Sequence, residues 1–309
     1  MWSASNSEFG AIFTLNIKED YKTIKSIRQE KEKALEKDKK VVAYPTFDEL
    51  RKEQQEESVQ LIYVIRDSKG KEVRRLISTP SKGISRIAWN LRQESTEPVN
   101  VNGTLNKNNG FLVQAGVYSV EVLLLNNGVI ETLTEKVNFT VKALNNQTLV
   151  ATNTEELDNF RKEVAELNRS INGSSNLLGE SKEKLDALNR ALLTYPNTDL
   201  KLMEETRALR LIYDECTIAL WGDGLKKSKE FETVPSITDR IGMVAYMLWD
   251  NTTGVTKTQQ SNKAIAQEEY ADFRKKLDGM IIRINALETT LEKQGIPYIK
   301  GKDESWKEN

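Results

Sequence analysis

The chain has 309 residues, 38 % hydrophobic and 29 % charged, with 45 Lys plus Arg against 46 Asp plus Glu and a net charge of -1. At about 100–200 residues per domain this length predicts two domains, and so even a balance provides no overall field to gather nucleic acid or an anionic membrane. Histidine is absent and Cys216 is the single cysteine, which removes the usual general base near neutral pH, the commonest zinc ligand, an intrachain disulfide and every multi-cysteine metal site.

The opening residues, MWSASNSEFGAIF, have neither a basic first segment nor a long apolar one, so they are not read as a signal peptide. Residues 9–17 form an apolar run of strand type with no hairpin partner nearby in sequence. A stretch rich in Lys and Glu, Asp20 to Lys40, is spaced like a solvated helix, and Tyr44-Pro45 breaks it. Thr46 and Glu49 then make a T-x-x-E capping box that opens a short helix to about Glu57. Residues 1–57 are thus expected to be an N-terminal strand followed by linker helices.

From Val59 the period shortens. Val59–Arg66 is rich in β-branched residues, Asp67-Ser68-Lys69-Gly70 supplies a turn, and Val73–Ile77 is the return strand. Ile87, Trp89 and Leu91 alternate with polar neighbours in a half-buried strand over 86–92. A loop rich in Asn and Gly covers 94–110, and alternation resumes with Tyr118, Val120, Val122 and Leu124. Asn126-Asn127-Gly128 predicts a type I′ hairpin, because Asn-Gly tolerates two successive positive φ angles. Val137, Phe139 and Val141 share one face of the last strand. Residues 58–145 read as a small antiparallel β-sandwich.

Beyond Asn145 the period is helical. Leu157, Phe160, Val164, Leu167 and Ile171 mark a first stripe, and Leu178, Ser181, Leu185, Leu188 and Leu192 a second. Leu202, Leu209, Tyr213, Cys216 and Leu220 lie on a third helix, and Ile237, Ile241, Val244 and Leu248 on a fourth that Ser236 can cap. The longest helix is expected to start at the T-x-x-Q box of Thr256 and Gln259 and to carry Phe273, Leu277, Met280, Ile284, Leu287 and Leu291. Each stripe must find neighbours, so residues 150–296 read as an antiparallel helical bundle with a tail at 297–309. The fold class is therefore multidomain α+β. The longest apolar runs, Val122–Leu125 and Met243–Trp249, fall far short of the roughly 18–20 residues that span a bilayer.

Chemistry-bearing residues are few, and each has a structural reading. Cys216 lies on an apolar stripe beside Asp214 and Glu215, which disfavour a thiolate. Glu204-Glu205, Asp214-Glu215 and Glu268-Glu269 offer carboxylate pairs of the kind glycosidases use. Adjacent helical residues diverge, however, so these read as solvated surface. Gly222-Asp223-Gly224 lacks the alternating oxygen ligands of a calcium loop and reads as a helix stop. Asn138, Asn172 and Asn251 begin Asn-x-Ser/Thr triplets. Trp221 and Trp249, near helix ends, are either packing residues or an aromatic platform. No catalytic, cofactor-binding or metal-binding residue is assigned.

Ile65-Arg66-Asp67-Ser68-Lys69-Gly70-Lys71-Glu72-Val73, Lys82-Gly83-Ile84, Ile87-Ala88-Trp89-Asn90-Leu91 and Gln114-Ala115-Gly116-Val117-Tyr118 together resemble the immunoglobulin-like repeat of flagellar hook-capping and bacterial cell-surface proteins. With Phe9-Gly10-Ala11-Ile12-Phe13-Thr14, Pro235-Ser236-Ile237-Thr238-Asp239-Arg240-Ile241, Leu248-Trp249 and Gln294-Gly295-Ile296-Pro297-Tyr298, nearly the whole chain resembles the C-terminal region of secreted bacterial proteins with a sortilin-type or BNR-repeat β-propeller, often labelled glycosyl hydrolase or exo-sialidase. The resemblance implies an immunoglobulin-like sandwich, a parent protein that is secreted, periplasmic or at the cell surface, and residues 9–20 leading out of the propeller, the intramolecular partner. The propeller motif Ser/Thr-x-Asp-x-Gly-x-Thr-Trp does not occur in this sequence. The expected function is a non-catalytic structural or interaction region. The alternatives are a glycoside hydrolase fragment, or a carbohydrate-binding or adhesion module with a protein or glycan partner.

Overall fold

A computed structural model of the chain describes residues 8–99, 109–144 and 153–296, together with Ala4 and Leu149. The expected tail at 297–309 and most of the Asn-rich loop lie outside the described residues. The chain is mixed α+β with antiparallel sheets. It divides into two compact units, Met1–Glu94 with Asn109–Thr148, and Ser95–Asn108 with Leu149–Asn309.

The first unit opens with β1 (Ala11–Ile17), followed by α1 (Ile24–Lys37) and α2 (Phe47–Gln55). Seven strands follow: β2 (Gln60–Asp67), β3 (Glu72–Ser78), β4 (Gly83–Trp89), β5 (Arg92–Glu94), β6 (Asn109–Leu112), β7 (Gly116–Asn126) and β8 (Val129–Thr132), with β9 (Val137–Val141) closing the unit. The main sheet runs β3-β2-β7-β8, with β9 also on β7, while β1 pairs with β4 and β5 with β6. Inward residues of both larger sheets share one core. Leu61, Tyr63 and Ile65 of β2 and Tyr118, Val120 and Val122 of β7 meet Ile17 and Trp89 from the β1–β4 pair. Trp89 is fully buried, its indole Nε1 donates to the Arg92 carbonyl at 2.9 Å, and its ring meets Tyr118 edge-on at 5.5 Å.

Turn chemistry sets the hairpins. Asp67 Oδ1 accepts from the amides of Lys69 and Lys71 at 2.9 Å, and Gly70 takes φ +79°. Asn127 and Gly128 have φ +46° and +77°, the two positive values of a type I′ turn. The linker helices belong to this unit. Glu56 accepts from the Ile24 amide at the start of α1, and Arg28 binds Glu53 of α2.

Two features differ from the sequence reading. The strand at 11–17 has a partner, β4, in an antiparallel register from Ala11↔Trp89 to Ile17↔Gly83. It therefore clusters with the sheets and not apart from them with a boundary at 57. The strand expected over 86–92 breaks at Leu91, which has φ +60°, so Arg92–Glu94 leaves β4 to pair with β6.

The second unit contains α3 (Thr154–Thr194), α4 (Leu202–Trp221), α5 (Gly224–Ser228), α6 (Ile237–Leu248) and α7 (Lys257–Lys293). The first two expected stripes form a single helix, α3, at 41 residues longer than the 37 of α7. Asn172-Gly173-Ser174-Ser175-Asn176 resembles a breaker, yet Ser174 continues the buried stripe between Ile171 and Leu178. Its hydroxyl lies 2.8 Å from Tyr270 Oη, which donates to the Ser170 carbonyl at 3.0 Å, and Arg274 donates to Ser174 Oγ at 3.0 Å. The single phenolic proton goes to Ser170, so Ser174 donates to the phenol and both hydroxyls have partners.

The bundle is antiparallel only in part. Glu163 meets Lys263, Ser174 meets Arg274 and Lys184 meets Asn285, so α3 and α7 run parallel. Asp186 pairs with Arg210, and Arg283 and Lys276 of α7 pair with Glu205 and Glu215, so α4 runs against both. Helix α6 continues that return. Thr238 Oγ1 donates to the Leu220 carbonyl at 2.7 Å where α4 ends, and the α6 carbonyl of Leu248 accepts from Arg161 at 3.5 Å near the start of α3. At 1.5 Å rise per residue, α3 spans about 60 Å while α4 and α6 together span about 48 Å. Two long legs thus flank one broken return leg.

Gly10 provides a test of the β1–β4 junction. It has φ +115°, and a Cβ there would lie 1.9 Å from the Trp89 carbonyl oxygen. Gly10→Ala should lower unfolding stability by more than about 1 kcal/mol, measured by urea titration of Trp fluorescence.

Candidate functional site

The residues whose chemistry invites a function are mostly in the helical unit. Cys216 sits on the inner face of α4 and is fully buried, and burial pushes its thiol up from the ordinary range. Such a thiol is a packing group.

Each carboxylate pair is divided by the helix period. Glu205 takes both arms of the Arg283 guanidinium at 2.8 and 2.9 Å, and that bond holds its carboxyl below the ordinary range. Glu215 binds Lys276 at 2.8 Å, and Glu269 binds Arg240 at 3.2 Å. The other members, Glu204, Asp214 and Glu268, are exposed. One acid of each pair thus braces two helices while its neighbour points elsewhere, a geometry unlike two acids flanking a single bond. Among the described residues, no group of three or more Cys, Asp or Glu converges as a metal site.

The break in the return leg is built from Gly222-Asp223-Gly224. Gly222 takes φ +87°, and Asp223 accepts from the Lys226 amide to cap α5. Lys227 bridges the break, donating to the Trp221 carbonyl at 3.1 Å and approaching Asp239 at 3.4 Å. A cation at the end of α4 and an acid in the first turn of α6 each complement a helix dipole. Ser236 and Asp239 form a reciprocal capping box, whose hydrogen bonds lower the Asp239 carboxyl. At the far end of α6, buried Arg161 donates to the carbonyls of Leu248 and Asn251. The Asn251 side chain closes a turn with Thr253 and Gly254, Asn138 is exposed on β9, and Asn172 is half-buried on α3.

What remains is a surface. The outer side of the return leg carries Leu211, Ile218 and Trp221 on α4 and Met243, Tyr246 and Met247 on α6, all exposed, with Tyr246 at 83 %. Phe231 and Val234, in the segment joining the two helices, are exposed as well. Trp221 and Trp249 retain 39 % and 37 % of their surface, so each is partly packed and partly exposed. The outer spacing 211, 218, 221 and 243, 246, 247 is helical, a second apolar stripe opposite the buried one. That signal is present in the sequence, where it is masked by the stronger inner stripe.

No helix among the described residues is long and apolar enough to cross a membrane. Comparison of the chain with protein-family models, with curated proteins and with solved structures finds no match.

The capping box and the Glu205–Arg283 brace set an acid limit. A carboxyl whose folded pKa is depressed adds stability that is complete above its unfolded value, about 4, and is lost as pH falls through the folded value. The melting temperature of the helical unit should stay flat from neutrality to about pH 5 and decline below about pH 4. Ser236→Ala should cost about 1 kcal/mol, and Asp239→Asn should weaken the acid dependence, both read by circular dichroism.

Proposed function

We propose that the chain is a non-catalytic structural and interaction region of a larger exported bacterial protein, in which an immunoglobulin-like sandwich and a helical bundle support a β-propeller. The observation that carries this reading is the structural employment of the reactive side chains. Cys216 is in the core, Glu205, Glu215 and Glu269 brace helices, and Asp223 and Asp239 cap them. The immunoglobulin-like reading of the first unit is supported by Trp89 in the core and by Tyr118, whose hydroxyl donates to the Gln114 carbonyl four residues upstream at 2.8 Å. A tyrosine bonded back to the chain at the start of a late strand recurs in such sandwiches.

The exposed aromatic and Met-rich stripe of the return leg favours a second reading, a carbohydrate-binding or adhesion module. Tyr and Trp supply large contact areas at low entropic cost, and Met adapts to irregular partners.

Assay of the purified chain against glycoside and peptide libraries should give no turnover above buffer, and enzyme-like rates would discard the proposal. On a glycan array, binding abolished by Trp221→Ala and Tyr246→Ala, with the melting temperature unchanged, would select the second reading.

A further inference from the structure

The two larger sheets of the first unit do not close on each other along one side. Between β1 and the main sheet lies a groove of about 450 Å³, lined by Ala11–Leu15 on one side and by Val122, Val137 and Phe139 among others on the other, with no charged residue. Strand β1 pairs with β4 alone among the described strands, so its second edge presents unpaired backbone groups directly beside this apolar opening. Another extended chain can pair with such an edge, by adding a strand whose alternate side chains enter the groove.

The edge is also unguarded. Exposed strand edges are normally blunted by charges, proline or shortness. Strand β3 carries Glu72, Arg74 and Arg75, β4 carries Arg86, β8 has four residues including Glu131, and β9 lies between Lys136 and Lys142. Strand β1, AIFTLNI, has neither a charge nor a proline over seven residues.

We propose that this edge pairs with the same edge of a second copy of the chain, antiparallel about a two-fold axis through Phe13. The groove-lining stretch is centred on that residue. The axis therefore matches Ala11 with Leu15, Phe13 with Phe13 and Ile12 with Thr14 of the other copy. Residues directly opposite in an antiparallel pair face the same side, so Ala11, Phe13 and Leu15 of each copy extend the core-facing layer over the other's opening. The same register sets Lys18 opposite Glu8, both exposed. Charge thus complements charge at both ends of an uncharged strand. The interface is isologous, as a two-fold axis requires.

Sedimentation velocity of the full chain across a dilution series should show a reversible monomer–dimer equilibrium. Ile12→Lys with Thr14→Lys sets lysines opposite one another on the outer face and should weaken the dimer about tenfold, with the far-UV circular dichroism unchanged. Lys18→Glu should weaken it, and Glu8→Lys in the same chain should restore it. These two positions are exposed, so that pair decides the question even if the double-lysine variant fails to fold. A monomer at every concentration, or a dimer indifferent to the 8/18 exchange, overturns the proposal. So does a monomer that takes up an unrelated alternating apolar peptide along β1, which would assign the edge to a foreign strand.

Discussion

The helical unit rests on one constraint: two long helices, each with a single apolar stripe, lie parallel and must share one return leg between them. The stripe of α7, from Phe273 through Leu277, Met280, Ile284 and Leu287 to Leu291, is buried along its length. Burial of each such side chain contributes roughly 1.5–3 kcal/mol, and this repeated gain offsets the entropy of ordering helices that in isolation would be marginal. The return leg matches the long legs by being made in two pieces. Thr238 and Lys227 join the pieces with hydrogen bonds and Ser236 caps the second, so the break costs few unsatisfied backbone groups.

The surface chemistry follows from that architecture. Helices held side by side place acids of one opposite bases of the next, and most exposed pairs of this kind are individually weak. Arg283 with Glu205 is the better-shaped case, since a planar guanidinium meets a carboxylate with two parallel bonds. Carboxylates used this way are directed along helix flanks rather than into a common cleft. Exposed apolar side chains include a group on the outer face of the return leg, and an apolar groove lies along the open edge of β1.

Local signals were the legible ones. Thr46, Ser236 and Thr256 all cap helices at the positions their three-residue spacing marks, because a capping box lies within one turn. Asn127-Gly128 bends as its φ preferences demand, and Leu209, Cys216 and Leu220 of the third stripe are buried, with Leu202 and Tyr213 half-buried. Nothing local joins β1 to β4, whose paired ends Ala11 and Trp89 are far apart in the chain. Nor could Asn172-Gly173-Ser174 be read as helix interior. The groups that satisfy Ser174, Tyr270 and Arg274, come from another helix. The same holds for the candidate site. The acid pairs are visible in sequence, whereas their basic partners are defined only once the antiparallel course of the return leg against α7 is known.

The parallel alignment of the long legs depends on the continuity of α3 through Ser174. Native-state hydrogen exchange read by mass spectrometry addresses it directly. Amides of residues 171–178 should exchange in the same slow class as those of 273–291, because both belong to one packed stripe. Exchange of residues 172–176 as fast as the turn at 250–255 would mean that α3 is two helices, and the architecture described for the second unit would be wrong.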